Sequence, residues 1–419
     1  MTDAPGSAAI ADAVAAAHRA EWARVLAATV RVTKDLDLAE ECTQDAFAKA
    51  LESWPRDGVP DRPGAWLTTV ARNRAVSGLR HESALQRRLP LLVTEESTPG
   101  PEEAPERPAV DDDRLRLIFT CCHPTLSREA QVALTLRLLC GLSTGEVARA
   151  FLVSEATMAA RVTRAKKKIA AARVPYRIPT RADLPARVSA VLQVVHLLFT
   201  TGHTAPIGDR LVRGDLVESA IGLARMLYEL LPGDAEVAGL LALLLLIDAR
   251  RATRQAPDGR LLLLREQDRA RWDRARIDEG VRLLTVALSR RPSRYAVEAA
   301  IAAVHAEAPT WAATDWTEIV GLYDVLRSLW DSPVVELNRA VAVGERDGAA
   351  AGLAALDALL DEPVLAAYGY LSAARAEFLG RLGRWPEAVP AYEEALALTD
   401  NDVERAFLDG RLTAARLRL

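Results

Sequence analysis

Aromatic residues make up only 5% of this 419-residue chain, in which Ala, Leu and Arg are the commonest residues. Long β-strands favour aromatic and β-branched side chains, so this composition excludes an extensive sheet and predicts an all-α protein. A chain of this length has room for two or three domains, each with its own core.

Long apolar segments are scarce as well. The longest uncharged apolar run, residues 237–247, has 11 residues, whereas a membrane-spanning helix needs about 20. The N-terminus is rich in Ala, carries Asp3 and Asp12, and lacks the basic cluster that opens a secretory signal. We therefore expect a cytoplasmic protein without a membrane partner.

The chain has only four cysteines, Cys42, Cys121, Cys122 and Cys140, and six histidines. Four thiols in a large cytoplasmic chain indicate reduced cysteines rather than a disulfide framework. Cys121, Cys122 and His123 are consecutive, but no second ligand pair completes a tetrahedral site, so buried thiols are favoured over a metal. The histidines are scattered, with no carboxylate or nucleophile at a telling spacing. We expect no metal, no cofactor and no enzymatic activity.

Lysine is scarce too: only five of the 53 basic residues are lysines, yet three of those five are consecutive. Between residues 156 and 181 there are eight basic residues and no acidic one, although the whole chain has a net charge of −4. These eight are Arg161, Arg164, Lys166, Lys167, Lys168, Arg173, Arg177 and Arg181. Such a local patch indicates a protein that binds a phosphate backbone.

The residues around this patch predict a helix-turn-helix. Ser143 and Glu146 have the spacing of a capping box at a helix start, residues 151–153 fit an apolar turn, and Ser154 can cap a second helix. One face of that second helix is apolar and carries Met158, Val162, Ala165 and Ile169. The opposite face, which a recognition helix would turn toward DNA, carries Thr157, Arg161, Arg164, Lys167 and Lys168. The charge run alone favours a solvated amphipathic helix, but the order of cap, turn, cap and basic face favours DNA binding.

Residues 95–113 contain eight acidic residues, one basic residue and four prolines. A segment of this composition cannot bury enough apolar surface to fold alone, so we predict an extended acidic linker over residues 91–113. It is either a passive tether, a device that keeps the chain off nonspecific DNA, or a mimic of nucleic acid in a basic channel.

Two further helices are predicted before the linker. Residues 37–53 form a helix whose polar residues are Asp37, Glu40, Glu41, Gln44 and Asp45. Acidic residues in a first turn also stabilise a helix through its dipole, which is the simpler interpretation. Residues 66–80 follow a loop rich in Pro and Gly and carry Trp66, Arg72, Asn73, Arg74 and Arg80. An aromatic ring, an amide and several guanidinium groups on one helix suit the binding of unstacked single-stranded bases.

Three blocks of the sequence together resemble the extracytoplasmic-function sigma factors of bacterial RNA polymerase. The first block contains Asp37, Ala39, Glu40, Glu41, Gln44, Asp45, Phe47 and Ala50. The second contains Trp66, Leu67, Val70, Ala71, Arg72 and Asn73, and the third contains Ser154, Thr157, Met158, Arg161, Val162, Arg164 and Ala165. The blocks occur in the order of that family, and the resemblance covers residues 10–175.

The resemblance implies partners and roles. Core RNA polymerase, through its clamp and flap, and promoter DNA are the implied partners. The acidic helix would bind the clamp through Asp37, Glu40, Glu41, Gln44 and Asp45. The downstream promoter element would be bound by Trp66, Arg72, Asn73, Arg74 and Arg80. The upstream element would be bound in the major groove by Thr157, Arg161, Arg164, Lys166, Lys167 and Lys168.

The remainder of the chain exceeds what a minimal sigma factor needs. Residues 373–382 and 385–396 predict a helical hairpin that is typical of a tetratricopeptide repeat, and a weaker copy lies 36 residues earlier. We expect an α-helical-repeat domain over residues 182–419. The chain thus resembles the sigma-factor subgroup with a C-terminal tetratricopeptide-like extension.

One polar segment of the extension does not fit the repeat pattern. It contains Asp258, Arg260, Gln267, Asp268, Arg269 and Trp272. The favoured interpretation is that these groups pair with one another and fix a loop between helices. The alternative is a regulatory contact with a protein or ligand partner.

The sequence therefore predicts a sigma region 2-like domain over residues 10–90, the linker over 91–113, a region 4-like helix-turn-helix domain over 114–175 and the repeat domain over 182–419. The function expected is a promoter-specificity subunit regulated by its C-terminal domain. The alternatives are a helix-turn-helix regulator with a helical-repeat sensor domain, and an enzyme in the C-terminal half. A regulator that binds duplex DNA has no need of the acidic helix or of residues 66–80.

Overall fold

A computed structural model describes residues 7–86, 113–151, 153–289 and 292–419. In these ranges regular structure consists of α-helices, a few single helical turns and one pair of two-residue strands. The prediction of an all-α protein is confirmed. The predicted acidic linker lies outside the described residues except for Asp113. The chain divides into two compact units, Met1–Val194 and Val195–Leu419.

The first unit contains seven complete helices and the start of an eighth in its described residues. They are α1 (Ser7–Thr33), α2 (Leu36–Asp57), α3 (Pro63–Gln86), α4 (Asp113–Cys121), α5 (Arg128–Leu134), α6 (Thr144–Ala150), α7 (Glu155–Ala171) and α8 (Leu184–His203). A π-helical turn, Thr135–Leu139, follows α5 directly. Helix α8 runs across the boundary between the two units.

Helices α1, α2 and α3 pack against one another as a three-helix bundle. Asp35 caps α2, because its carboxylate accepts hydrogen bonds from the Asp37 and Leu38 amides at 2.7 and 2.9 Å. The bundle core contains Leu26, Trp54 and Leu67, all of them almost fully buried. Their burial aligns α2 and α3 so that Glu41, Arg72 and Asn73 lie on the outside of the bundle.

The second unit contains ten further helices in its described residues. They are α9 (Gly214–Leu230), α10 (Ala235–Asp248), α11 (Arg274–Leu288), α12 (Arg294–Glu307), α13 (Trp316–Leu329), α14 (Pro333–Asp347), α15 (Ala349–Asp357), α16 (Gly369–Arg381), α17 (Trp385–Ala397) and α18 (Asp402–Arg416). Strand β1 (Ile207–Gly208) pairs in parallel with β2 (Asp400–Asn401), with Ile207 opposite Asp400. Three 3₁₀ turns, Arg251–Thr253, Leu264–Glu266 and Arg269–Arg271, lie between α10 and α11.

The apolar run at residues 237–247 lies in α10, and this helix packs against α9, α11 and α12. Its residues are buried on all sides, which explains why it shows no amphipathic pattern. Among the described residues, α8 is the one helix long and apolar enough to cross a membrane by length and composition. The sequence expectation overlooked α8 because Arg187 and His196 interrupt its apolar run, and several of its side chains, including Leu192 and Phe199, are buried in the protein.

The predicted C-terminal hairpin is confirmed as α16 and α17, which pack against each other. Its weaker copy is the pair α14 and α15, and the two pairs share one core that contains Leu337, Leu353, Phe378 and Tyr392. Gly344 allows this close approach, because a Cβ atom there would lie 2.1 Å from Cζ of Phe378. The hairpins therefore stack as neighbouring units of a helical array.

We predict that Gly344→Ala lowers the free energy of unfolding by about 1 to 3 kcal/mol, because the added methyl group overlaps the Phe378 ring. Urea unfolding followed by circular dichroism measures the change. Gly321→Ala is the matched control, since Gly321 also lies inside a helix but a Cβ there has nothing within 4 Å. The control should raise the free energy by up to about 1 kcal/mol. Equal stabilities of the two variants would contradict the role given to Gly344.

Candidate nucleic-acid interface

The helix-turn-helix forms as predicted from α6 and α7. The Ser143 amide donates to Oε2 of Glu146 at 2.7 Å, and the Glu146 amide donates to Oγ of Ser143 at 3.2 Å, which completes the predicted capping box. Oγ of Ser154 accepts from the Thr157 amide at 3.2 Å and caps α7. Both helix starts are thus held by side chains, which sets the angle at which α7 leaves the turn.

Helix α7 has the two faces that the sequence predicts. Met158, Val162, Ala165 and Ile169 are buried against the rest of the unit. The side chains of Thr157, Arg164, Lys167 and Lys168 are exposed. Arg161 is half-buried, because its guanidinium lies 3.4 Å from the Glu129 carboxylate and 5.5 Å from the centre of the Phe151 ring.

Lys166 does not lie where the sequence analysis placed it. Its side chain is only 8% exposed, and Nζ lies 2.6 Å from Oδ1 of Asp37 and 2.7 Å from Oε2 of Glu40. Burial disfavours the ammonium, but the two carboxylates outweigh burial and raise the pKa of Lys166. In this conformation the ammonium is held inside the protein and does not face a phosphate backbone.

The acidic residues of α2 form a face with two kinds of side chain. Asp37, Glu41 and Gln44 are exposed, and Asp45 is half-buried and accepts from Nε of Arg74 at 2.9 Å. Glu40 is buried and pairs with both Lys166 and Arg137. Together, Asp37, Glu40, Glu41, Gln44 and Asp45 are called the acidic face of α2 below.

Helix α3 presents Arg72, Asn73, Arg74 and Arg80 to solvent. Trp66 is half-buried and meets the Trp54 ring edge-on, with 5.7 Å between the ring centres. The ion pair between Arg74 and Asp45 brings this set next to the acidic face of α2. Two of the three predicted sets therefore adjoin on the same bundle.

The polar segment between α10 and α11 is held mainly by contacts within the second unit. The hydroxyl of Thr253 accepts from Nε1 of buried Trp272 at 2.9 Å and donates to Gln267, also buried, at 3.4 Å. Arg269 donates to the carbonyl of Ala308 at 2.7 Å and stacks over Trp272. Asp268 caps a 3₁₀ turn, and Asp258 accepts from the Arg260 amide at 3.0 Å. The interpretation as a fixed loop fits this geometry, and of the six residues singled out in the sequence Asp258, Arg260 and Asp268 are exposed.

Sequence reasoning missed several residues that join α1–α3 to α4–α7. Nε1 of Trp22 donates to the carbonyl of Leu138 at 3.1 Å, and the Tyr176 hydroxyl donates to the carbonyl of Ala27 at 2.9 Å. Arg137 pairs with Glu40. The residues joined by the two hydrogen bonds are 116 and 149 positions apart in the chain, and those of the ion pair are 97 apart. No local sequence pattern could therefore have identified these contacts.

Cys42, Cys121 and Cys122 are buried, as expected for structural thiols, and Cys140 is half-buried. Burial raises the pKa of Cys122 to about 11, so this thiol stays protonated at neutral pH. Within the described ranges, no three His, Cys, Asp or Glu side chains are grouped so that they could hold a metal ion.

Three family models match the chain. The family described as sigma-70 region 2 matches residues 19–84, and the family described as sigma-70, region 4 matches residues 116–169. A family of unknown function (DUF6596) matches residues 187–288. The first match contains the acidic face of α2 and the exposed set of α3, and the second contains nearly all of α7.

Relatives cover the chain in two ways. The uncharacterized protein R00370 of Rhizobium meliloti (strain 1021) is 41% identical over 389 residues, which is 92% of this chain and 92% of that protein. The ECF RNA polymerase sigma factor SigK of Mycobacterium sp. (strain KMS) is 30% identical over 155 residues, which is 36% of this chain and 78% of that protein. SigK of Mycolicibacterium vanbaalenii is 29% identical over 157 residues, 36% of this chain and 77% of that protein.

Region 2 and region 4 in one chain separate a sigma factor from an ordinary helix-turn-helix regulator, which needs no region 2. Sigma factors are transcription initiation factors rather than enzymes, and they act with core RNA polymerase on promoter DNA. This chain belongs to the extracytoplasmic-function sigma factors: it is a sigma subunit of bacterial RNA polymerase that directs transcription initiation, and it carries a C-terminal extension.

Proposed function

We propose that the three parts of the chain divide the work of initiation. Residues 10–90 bind core polymerase and the downstream promoter element, residues 114–175 read the upstream element, and residues 182–419 regulate the outcome. The observation that supports this division most strongly is the geometry of α7, whose apolar face is buried while Thr157, Arg164, Lys167 and Lys168 face solvent.

On α7 the proposed contacts are of two kinds. Thr157 and Arg164, together with the half-buried Arg161, contact base edges in the major groove of the upstream element. Lys167 and Lys168 lie at the C-terminal end of the helix and contact phosphates, which adds affinity without sequence information. Lys166 is left out of the proposed interface because its ammonium is paired with Asp37 and Glu40.

On α3 we propose that Arg72, Asn73, Arg74 and Arg80 grip the separated strand of the downstream element. All four are exposed, and guanidinium groups bind phosphates while an amide can bind a base edge. Trp66 is half-buried against Trp54, so its exposed edge offers a surface on which an unstacked base can lie.

On α2 we propose that the acidic face binds the clamp of core polymerase. The exposed carboxylates of Asp37 and Glu41 and the amide of Gln44 support this assignment, since none of these side chains contributes to the bundle core. Asp45 is engaged by Arg74, so the polymerase and DNA surfaces are electrostatically coupled there.

For the extension we propose a regulatory role through a protein or ligand partner. The stacked helical hairpins support it, because helical arrays offer grooves and exposed helix faces to partners. We further propose that the protein acts in the cytoplasm, as its family normally does, without a membrane partner, a cofactor or catalysis of its own.

We predict that Arg164→Ala lowers transcription from the cognate promoter and leaves binding to core polymerase unchanged. The loss of one base contact should cost about 1 to 3 kcal/mol of promoter binding. Run-off transcription with purified core polymerase measures the effect. Arg19→Ala removes the same charge from the exposed surface of α1 and should transcribe normally. Wild-type promoter occupancy in the Arg164 variant would remove this residue from the interface.

We predict that Glu41→Lys weakens binding to core polymerase by about tenfold, because a charge on a complementary interface is reversed. A fluorescence binding titration without DNA measures the affinity. Glu52→Lys is the matched control, since Glu52 is an exposed residue of the same helix outside the acidic face. Unfolding curves of both variants should match the wild type. If Glu41→Lys and Glu52→Lys bind equally well, the acidic face is not the polymerase site.

We predict that a chain ended after residue 203 loses promoter-driven transcription although it is still produced. The reason is that we propose the regulation by the extension to be activating, so that a chain without most of it initiates poorly. A reporter assay with protein levels checked by immunoblot measures the effect. Full activity of the shortened chain would show that the extension takes no part in initiation.

A further inference from the structure

Helices α1–α3 and α4–α7 are docked on each other within the first unit. The indole of Trp22 is buried and donates to the carbonyl of Leu138, and the hydroxyl of Tyr176 donates to the carbonyls of Ala27 and Asp113 at 2.9 and 3.1 Å. A Cβ atom on Gly141 would lie 2.9 Å from the Trp22 ring. The two groups therefore meet in a close-fitting interface that combines apolar contact with buried hydrogen bonds.

Glu40 lies on the acidic face of α2 and is covered by this interface. Its side chain is 8% exposed, and both carboxylate oxygens have partners. Oε2 accepts from Lys166 at 2.7 Å, while Oε1 accepts from Arg137 and from Gln44, the latter at 3.4 Å. A carboxylate engaged in this way is not accessible to a second protein.

The groups that cover Glu40 come from the promoter-reading part of the chain. Lys166 belongs to α7, and its ammonium also pairs with Asp37 at 2.6 Å, so it occupies two of the five residues of the acidic face. Arg137 belongs to the π-helical turn after α5. The single interface thus covers part of the proposed polymerase surface and holds one lysine of α7 away from DNA.

We infer that this docked arrangement is a closed state of the free sigma factor, in which α4–α7 mask the polymerase-binding face of α2, so that polymerase binds only when the contact of Lys166 and Arg137 with Glu40 opens. The inference rests on the proposed role of the acidic face. It adds a regulatory step inside the first unit, upstream of any action of the extension.

The closed state can be detected chemically without polymerase. A water-soluble carbodiimide adds to the Asp37 carboxyl group and forms an O-acylisourea. The Lys166 amine, after losing its extra proton to solvent, attacks the acyl carbon and forms an amide, and the isourea, which carries the former carboxylate oxygen, leaves as a urea. In the full-length chain we expect mass spectrometry to find Lys166 joined to tryptic peptide 35–49. The product should be reduced by Asp37→Asn and should disappear when core polymerase is bound. Failure to form it in the free chain, or its persistence in the isolated polymerase complex, would overturn the inference.

The masking itself is tested by affinity. Lys166→Ala leaves Glu40 with a buried charge that is only partly compensated, which disfavours the closed state. Because apparent affinity scales with the population of the competent state, this variant should bind core polymerase at least about threefold more tightly than the wild type. Arg177→Ala is the matched control: it removes the same charge from an exposed position shortly after α7 that belongs to neither proposed binding surface. Equal affinity of the two variants would contradict masking.

A second variant guards against a folding defect in the first. Tyr176→Phe removes the hydroxyl that bridges Ala27 and Asp113 and keeps the ring, so it should also bind polymerase more tightly, by a smaller factor.

The results of these experiments test the inference separately from the proposed function. If the cross-link forms but Glu41→Lys binds polymerase normally, the acidic face is wrongly assigned. If Glu41→Lys weakens binding but Lys166→Ala behaves like Arg177→Ala, the contact exists and does not mask the polymerase site.

Discussion

The burial of one carboxylate, that of Glu40, constrains the arrangement of the whole first unit. Removing an ionised carboxylate from water costs several kcal/mol unless cations and donors replace the lost hydration. The Glu40 side chain is buried, and its partners Lys166 and Arg137 are 126 and 97 positions away along the chain. Because α2 cannot supply these cations itself, Glu40 is buried only while α4–α7 are docked on α1–α3.

Features that depend on neighbours in the chain were predictable, and those that depend on docking were not. The caps by Ser143 and Ser154 and the buried side of α7 follow from residues three or four positions apart, so the sequence predicted them correctly.

The prediction that Lys166 lies on the DNA-binding surface was wrong for a different reason. Consecutive helical residues point about 100° apart, so three lysines in a row cannot share one face. The residue next to Ala165 turns toward α2, and only Lys167 and Lys168 remain exposed.

The second unit shows the same division. The α16–α17 hairpin could be located because a glycine turn separates two short amphipathic segments, whereas α9 to α13 were expected only as a number of helices. Helices rich in alanine and leucine have several apolar faces of similar size and hydrophobicity. Their sequence therefore does not specify which other helix each face packs against. The role of Trp272 and Gln267 likewise emerged only in the structure, since both bind the hydroxyl of Thr253, which lies in a different turn of the same loop.

The composition of the docked interface determines how readily it can open. A buried ion pair contributes little net stability over the same charges in water, because hydration returns when the charges separate. Opening the Lys166–Glu40–Arg137 contact therefore costs less than its short distances suggest. The apolar contact between Trp22 and Gly141 regains no such compensation, because separating the Trp22 ring from Gly141 would expose apolar surface to water. The charges thus specify which faces meet, while the apolar contact of Trp22 and the hydrogen bonds of Trp22 and Tyr176 hold them together, and a partner that binds the exposed acidic face has to overcome these contacts.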